Sequence, residues 1–273
     1  MASDVALDRA LDMASDGEWL EAVIESVDRP GIEIDGVTLP GFPSARVAGQ
    51  TVADGMSRRM LTHASAMHAT IRDTAARHGL RLGRDTKVLD FGTGFGRIAR
   101  FFLREVARRN LHGVDVVPNL VQACRETFGS DTFDVIEQRG TLPHADGTFD
   151  LVFANSVFSH LTEELNLAWF AQIMRTLRPG GLAALTIIDA GKFERFVKVG
   201  GPYFESLRID PDAARPAIGR GEMLWFTTSR KGPLEGYGYA VVPQAWVRAN
   251  WRAAEVLEFD ESMPQTLVWL RKP

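Results

Sequence analysis

The chain has 273 residues, 45% of them hydrophobic and 24% charged, and a formal net charge of −4. This balance excludes a disordered tail protein and a collagen-like fibre. With Cys124 the single cysteine, it also excludes an intrachain disulfide scaffold and a cysteine-built zinc site. The acids gather in residues 1–40, where ten stand against two basic residues, Arg9 and Arg29, as either a solvated face or an internal contact.

The first twenty residues lack the basic flank and apolar run of a secretory leader. No stretch approaches the roughly 20 apolar residues of a membrane span, so a cytoplasmic protein with no membrane partner is expected. Leu7, Leu11, Leu20, Val23, Ile24 and Val27, interrupted by Gly17, predict two short helices. Residues 29–44, rich in proline and glycine, read as a linker. Met56, Met60, Ala64, Met67, Ile71 and Ala75 recur at helical spacing and predict an amphipathic helix closed by Gly79. Residues 1–80 thus form a helical extension, its methionine face either core packing or a lid. His63 and His68 are five apart and share no helix face, which argues against a metal pair; His63 reaches a cleft only if this helix covers one.

From residue 86 the pattern alternates. Residues 87–91, 111–116, 133–137, 149–154 and 182–188 read as five strands, with helices at 97–109, 118–129 and 162–177 between them. Such spacing implies right-handed crossovers and a parallel α/β sheet covered on both faces. Arg97, Arg100, Arg104 and Arg108 follow one another at three or four residues. With Glu105 among them and no aromatic platform, they read as a solvated helix face rather than a nucleic-acid surface. Residues 190–222 break the rhythm with glycines and prolines and read as an insertion. Its Phe193, Phe196, Tyr203 and Phe204 either wall an acceptor pocket or pack the insertion down. Residues 223–228 and 266–271 are two late strands flanking a helix at 244–251, placed to pair antiparallel at a sheet edge. Trp225, Tyr237, Tyr239, Trp246 and Trp251 concentrate in this part, as core or as the floor of a sugar site.

The segment VLDFGTGFGRIAR, residues 88–100, carries the chemistry. A strand bearing Asp90 runs into Gly92, Gly94 and Gly96 and then a helix, so the backbone turns sharply and a ligand can approach it. Asp115, 25 residues beyond Asp90, ends the next strand, where its carboxylate can accept from both hydroxyls of an adenosine ribose. A nicotinamide fingerprint would want a third glycine at position 97, which is Arg97. No G-K-[ST] follows, which excludes a P-loop.

On these residues the chain resembles the class I S-adenosylmethionine-dependent methyltransferases. The resemblance covers about residues 86–188 through VLDFGTGFGR, GVD, LPHADGTFDLVFA and LRPGGLAALTI. GVTLPGFP, FANSVFSHL and TLVWLRKP are similar to a bacterial small-molecule and glycan-type subgroup. The resemblance implies a Rossmann-like seven-stranded sheet of order 3-2-1-4-5-7-6 with the seventh strand antiparallel, the two late strands supplying six and seven. It also implies S-adenosylmethionine as cofactor, with the backbone around Phe91, Gly92, Thr93 and Gly94 lining its methionyl part and Asp90 and Gly96 also cofactor-binding. Asp115 would hold the ribose and Val116 press on adenine. Asn155 would approach the amino-acid or sulfonium end. Gln138 stands where many relatives carry an acid for the adenine amino group. A methyltransferase domain of residues 81–273 follows, with 190–222 forming part of the acceptor site.

Methyl transfer from a sulfonium is largely a matter of positioning, with a base needed when the acceptor is a hydroxyl. His160 is the candidate base, or else a residue capping its turn. Asp189, at the end of strand five, orients an acceptor or caps the next helix. No metal is expected. The reading favours methylation of a small molecule or glycan at oxygen. The alternatives are a protein or RNA methyltransferase, a non-catalytic S-adenosylmethionine-binding regulator and, disfavoured by Arg97, a nicotinamide oxidoreductase.

Overall fold

The computed structural model describes residues 14–48, 57–201, 205–207, 209–227 and 238–273 and divides into two compact units. The first takes the chain to residue 86, with 93–113 and 118–134; the second takes 87–92, 114–117 and 135–273.

In the first unit, helix α1 (Asp16–Glu25) begins at a capping box. Ser15 Oγ accepts from the Glu18 N–H, and the Glu18 carboxylate accepts from the Ser15 N–H. Trp19 and Val23, one turn apart, are its buried stripe. The expected linker contains a hairpin, β1 (Glu33–Ile34) and β2 (Val37–Thr38). Asp35 and Gly36 turn it, at φ of 51° and 71°, the pair of positive values that Asp-Gly accommodates. Helix α2 (Ala45–Ala48) and helix α3 (Arg58–Arg77) follow. Helix α3 buries Met60, Ala64, Met67, Ile71 and Ala75, the expected stripe, and the chain leaves it at Gly79 with φ 89°. Leu7, Leu11 and Met56 lie outside the described residues.

Residues 97–109 form two 3₁₀ turns, Ala99–Arg104 and Arg108–Asn110, instead of the expected α-helix. The tighter winding does not keep the arginines on one outward face. Arg104 pairs with Asp16, which Arg72 also grips at 2.7 Å. Arg108 donates to Phe128 O at 2.6 Å and Thr38 O at 2.8 Å. Arg100 is buried. The expected solvated arginine face is therefore replaced by arginines bonded to the protein, Arg104 to an acid and Arg100 and Arg108 to backbone carbonyls. The hydrogen bond from Arg72, its charge, and Arg104 together hold the Asp16 carboxyl down to about 2. His68, which is buried, meets Glu105 through Nε2 at 2.9 Å.

The remaining strands are β3 (Val88–Phe91), β4 (Leu111–Asp115), β5 (Phe133–Val135), β6 (Phe149–Ala154), β7 (Leu177–Ile187), β8 (Leu224–Thr227), β9 (Gly238–Val241), β10 (Glu255–Asp260) and β11 (Thr266–Arg271). The helices are α4 (Pro118–Phe128), α5 (Glu163–Thr176), α6 (Ala190–Val199), α7 (Pro211–Gly219) and α8 (Gln244–Asn250). Seven strands make one sheet in the order β10-β11-β7-β6-β3-β4-β5. Counted from the strand before the glycine loop, this is 3-2-1-4-5-7-6. β3, β6 and β7 run parallel, while β11 runs antiparallel to both β7 and β10. The sixth strand is β10 and not residues 223–228. Of those, Leu224–Thr227 form β8, which among the described residues pairs with β9 in a separate two-stranded ribbon. β7 begins at Leu177, ahead of the expected 182, because Pro179-Gly180-Gly181 interrupts its pairing with β6 without ending it.

The core of the second unit closes around Trp251. Its ring stacks on Phe170 (centroids 5.0 Å apart, planes at 7°) and meets Phe158 edge-on at 5.4 Å, while Nε1 donates to Asn166 Oδ1 at 2.9 Å. The insertion has an apolar cluster of its own, made by Ile188, Phe193, Leu207, Ile209, Ala214, Ile218, Tyr239 and Val241. Trp251→Ala opens a cavity and unpairs a buried amide. It should lower stability by about 3–5 kcal/mol, read as a shifted midpoint in urea denaturation at constant slope.

Candidate active site

The loop after β3 is built from left-handed backbone. Gly92, Gly94 and Gly96 have φ of 81°, 57° and 75°, a region side-chain-bearing residues avoid. A Cβ on Gly92 would also overlap Val157 Cγ2, and one on Gly96 would stand 2.5 Å from Phe128 Cε2. The Gly92 N–H donates to Val114 O at 2.8 Å, which fixes where the loop leaves the sheet. Asp90 and Thr93 are buried. The Phe91 side chain is core, 5.1 Å from the Trp169 ring, so only its backbone is available to a ligand.

Asp115 ends β4, and its Oδ1 accepts from the Val117 N–H at 2.9 Å, a local turn that orients the carboxylate. Val116 is half-buried against the second unit's core. Gln138 is half-buried, and its carbonyl accepts from Trp169 Nε1 at 3.1 Å. Asn155 is half-buried just after β6. Ser156, next to it, is held at φ 58° by the Thr186 hydroxyl, which accepts its N–H at 2.7 Å. Such a left-handed non-glycine residue at a strand end is an unusual feature of functional regions.

His160 lies in the turn before α5. Its Nδ1 faces Gly238 O at 2.7 Å. A carbonyl only accepts, so Nδ1 carries the proton and the imidazole lone pair belongs to Nε2. Burial pushes the His160 pKa below its ordinary value, against the smaller raising effect of that hydrogen bond. Asp189 caps α6. Oδ1 accepts from the Lys192 N–H at 2.9 Å, and Oδ2 accepts from Gln244 Nε2 at 2.8 Å and the Thr266 hydroxyl at 3.0 Å. Both of its oxygens are engaged by the protein, and the side chain is 3% exposed. Of the aromatics expected to wall an acceptor pocket, Phe193 is fully buried in the insertion's cluster and Phe196 stacks on Tyr239 at 4.8 Å. Tyr203, Phe204 and Tyr237 lie outside the described residues. In the first unit His63 sits against Arg97, whose Nη1 is 3.4 Å from Nδ1. Burial first, then the Arg97 charge, lowers its pKa.

Gln244 and Thr266 were not singled out in the sequence, although each opens a recognised element. Only the fold brings them to Asp189. Among the described residues, no group of three or more histidines, cysteines or acids is placed to hold a metal, and no helix is long and apolar enough to cross a membrane.

Residues 88–181 match the methyltransferase domain family. Those residues carry a methyltransferase domain of the class I S-adenosylmethionine-dependent kind. It is 28% identical over 177 residues to a malonyl-[acyl-carrier protein] O-methyltransferase of Geobacter sulfurreducens, covering 64% of this chain and 59% of that one. A Chlorobium phaeovibrioides protein of the same name is 29% identical over 199 residues, covering 67% and 72%. A phosphoethanolamine N-methyltransferase of Plasmodium falciparum is 26% identical over 109 residues, covering 39% and 41%. The chain thus spans about three-fifths of the Geobacter relative's length and about two-fifths of the Plasmodium one's. Two solved structures share the fold. One is the Burkholderia thailandensis 1,6-didemethyltoxoflavin-N1-methyltransferase with bound 1,6-didemethyltoxoflavin and S-adenosylhomocysteine (TM-score 0.52, 16% identity, 95% of this chain and 91% of that one). The other is Streptomyces venezuelae DesVI (TM-score 0.51, 15% identity, 85% and 99%).

Because the folded pKa of His160 lies below the unfolded value of 6.5, the unfolded chain binds a proton first as pH falls. Stability is therefore full above about 6.5 and declines as pH drops through the depressed folded value. His160→Asn keeps a donor for Gly238 O but cannot titrate. Denaturation midpoints measured between pH 8 and 5 should fall less steeply for this variant of the methyltransferase than for the parent.

Proposed function

We propose that this methyltransferase moves a methyl group from S-adenosylmethionine to an oxygen of a small molecule or glycan, with His160 as the base. The residues present suit the cofactor. The loop has no Cβ at its three left-handed positions, and a carboxylate stands at the tip of β4 for a ribose. In this reading Gly92, Thr93, Gly94 and Gly96 receive the methionyl part, with the Asp90 and Phe91 backbone behind them. Asp115 accepts from the ribose hydroxyls, Val116 and Gln138 flank the adenine, and Asn155 lies toward the reactive end. Bound there, the cofactor supplies a methyl group already activated by its sulfonium.

The observation that carries the oxygen reading is the state of His160. A buried imidazole with a depressed pKa and its proton fixed on Nδ1 is neutral at pH 7. Its Nε2 can then take the proton that a hydroxyl must lose as the new C–O bond forms. Asp189 supports the site by holding the end of β7 and the start of α6. The insertion of residues 190–222, with the helical extension of residues 1–80, supplies acceptor selectivity, since ligands of open α/β sheets lie at the carboxyl ends of strands. The acceptors named for the relatives include an acyl-carrier-bound malonyl group and phosphoethanolamine, and those belong to the relatives.

Asp115→Ala removes one or two charge-assisted bonds, about 1.5–3 kcal/mol each, and should weaken S-adenosylhomocysteine binding at least tenfold by calorimetry. Turnover is best scored over a panel of sugars and small hydroxyl compounds, by methylated product and by S-adenosylhomocysteine. His160→Asn should lower kcat by about 10²–10⁴ while cofactor affinity stays. Methylation confined to amine acceptors, or an undiminished kcat in His160→Asn, would remove the oxygen reading.

A further inference from the structure

Arg100 is 1% exposed, the only arginine among the largest fully buried side chains. Its guanidinium has no carboxylate partner among the described residues. Every one of its hydrogen bonds goes to a backbone carbonyl. Nε donates to Gly96 O at 3.2 Å, Nη2 to Phe95 O at 3.3 Å, and Nη1 to Pro40 O at 3.3 Å and Gly41 O at 3.1 Å. The plane lies over the Phe42 ring, 3.6 Å from its centroid. Burial pushes its pKa down to about 9, so the group stays charged at neutral pH. A buried, unpaired charge is costly and persists where the fold uses it.

A neighbouring contact completes the pattern. Cys124 Sγ donates to Gly94 O at 3.3 Å. Three successive loop carbonyls, at 94, 95 and 96, are therefore each taken by a side chain from within the first unit. In a trans peptide the next N–H points opposite to the carbonyl, and the described residues contain no cis bond. The Gly96 N–H turns back to Thr93 O at 2.9 Å. Peptide geometry turns the N–H groups of Phe95 and Arg97 away from the carbonyls that Cys124 and Arg100 hold. Successive N–H groups around left-handed residues form a cradle for an anion.

We propose that Arg100 is a positioning residue for the glycine loop. Clamped by the segment Pro40–Phe42, it fixes the carbonyls of Phe95 and Gly96 inward and, with Cys124 on Gly94 O, holds the loop in the conformation that receives the carboxylate of the cofactor's amino-acid tail. This rests on the reading of the glycine loop and Asp115 as the cofactor site. It also makes cofactor affinity depend on a stretch of the N-terminal segment that need not touch the cofactor.

Two ligands separate this role from a merely structural one. S-adenosylhomocysteine carries the amino-acid tail, and 5′-methylthioadenosine shares its adenosine but lacks that tail. Lysine keeps the charge but cannot reach four carbonyls through a planar fork. Calorimetric titration of Arg100→Lys should show S-adenosylhomocysteine weakened about tenfold and methylthioadenosine within about twofold of the parent. Asp115→Ala should weaken both. Equal loss of both ligands, or loss of neither, in Arg100→Lys overturns the role of Arg100. Unchanged binding in Asp115→Ala overturns the site reading beneath it. If Arg100→Lys does not fold, Phe42→Leu leaves the guanidinium in place without its stacking ring and is read with the same two ligands. A preferential loss of S-adenosylhomocysteine of about threefold is then expected, and an equal effect on the two overturns the proposal.

Discussion

Three left-handed residues within five positions are the constraint around which the cofactor end of this fold is arranged. Backbone at φ of 81°, 57° and 75° admits glycine with little cost and other residues with strain. At Gly92 and Gly96 the space a Cβ would need is already filled, by Val157 and by Phe128 with Cys124. The loop is thus closed on itself by sterics, and its carbonyls are closed off by Arg100 and Cys124. That arrangement fixes which way the peptides of the loop face. The sheet order then sets β4 beside β3, so Asp115 arrives at the neighbouring strand tip.

Much of this was legible in the sequence because it is local. The turn glycines, the strand before them and the acid 25 residues on are short-range patterns that each demand one backbone conformation. The strands β3, β4, β6 and β11 were legible for the same reason, as continuous apolar runs. β10 was not. Its sequence, EVLEFD, alternates acids with apolar residues on an edge strand whose residues are only half-buried, so its signal is weak. Residues 223–228 look more like a strand, and they are one, yet nothing in a strand's own sequence says which sheet it joins. The hairpin at residues 33–38 was read as linker although Asp-Gly marked it, since strands of two residues give no periodicity to detect.

The arginine row shows a different limit. Charge at helical spacing reads as a solvated face only when the segment is helical and its partners are water. Here the segment is 3₁₀, and α1 supplies an acid at Asp16. Part of the negative charge of the N-terminal segment is met by arginines of the same unit. Arg72 and Arg104 converge on Asp16, while Glu21 meets Arg58 at 2.6 Å in a more exposed pair that contributes little. The sequence held both charges, but the pairing spans up to 88 positions and appears only once the chain is folded.

Asp189 makes the same point where chemistry is concerned. An acid at the carboxyl end of a central strand invites a catalytic role. Its environment differs. Its two oxygens receive three donors, from the first turn of α6, the first residue of α8 and the first residue of β11. Removing a proton from an acceptor would require breaking at least one of these bonds and leaving a buried donor unpaired, at about 1–3 kcal/mol each. Lys192 reinforces the same joint by donating to the carbonyls of Glu261 and Met263 at 2.6 and 2.8 Å. Asp189 is therefore better suited to hold the insertion against the sheet edge than to exchange protons. The lone pair of His160 lies on a nitrogen that its anchoring bond does not use, so proton transfer there leaves the anchor to Gly238 intact. In the proposed reading His160 therefore differs from Asp189 in one respect, that its lone pair lies on a nitrogen other than the one bonded to Gly238.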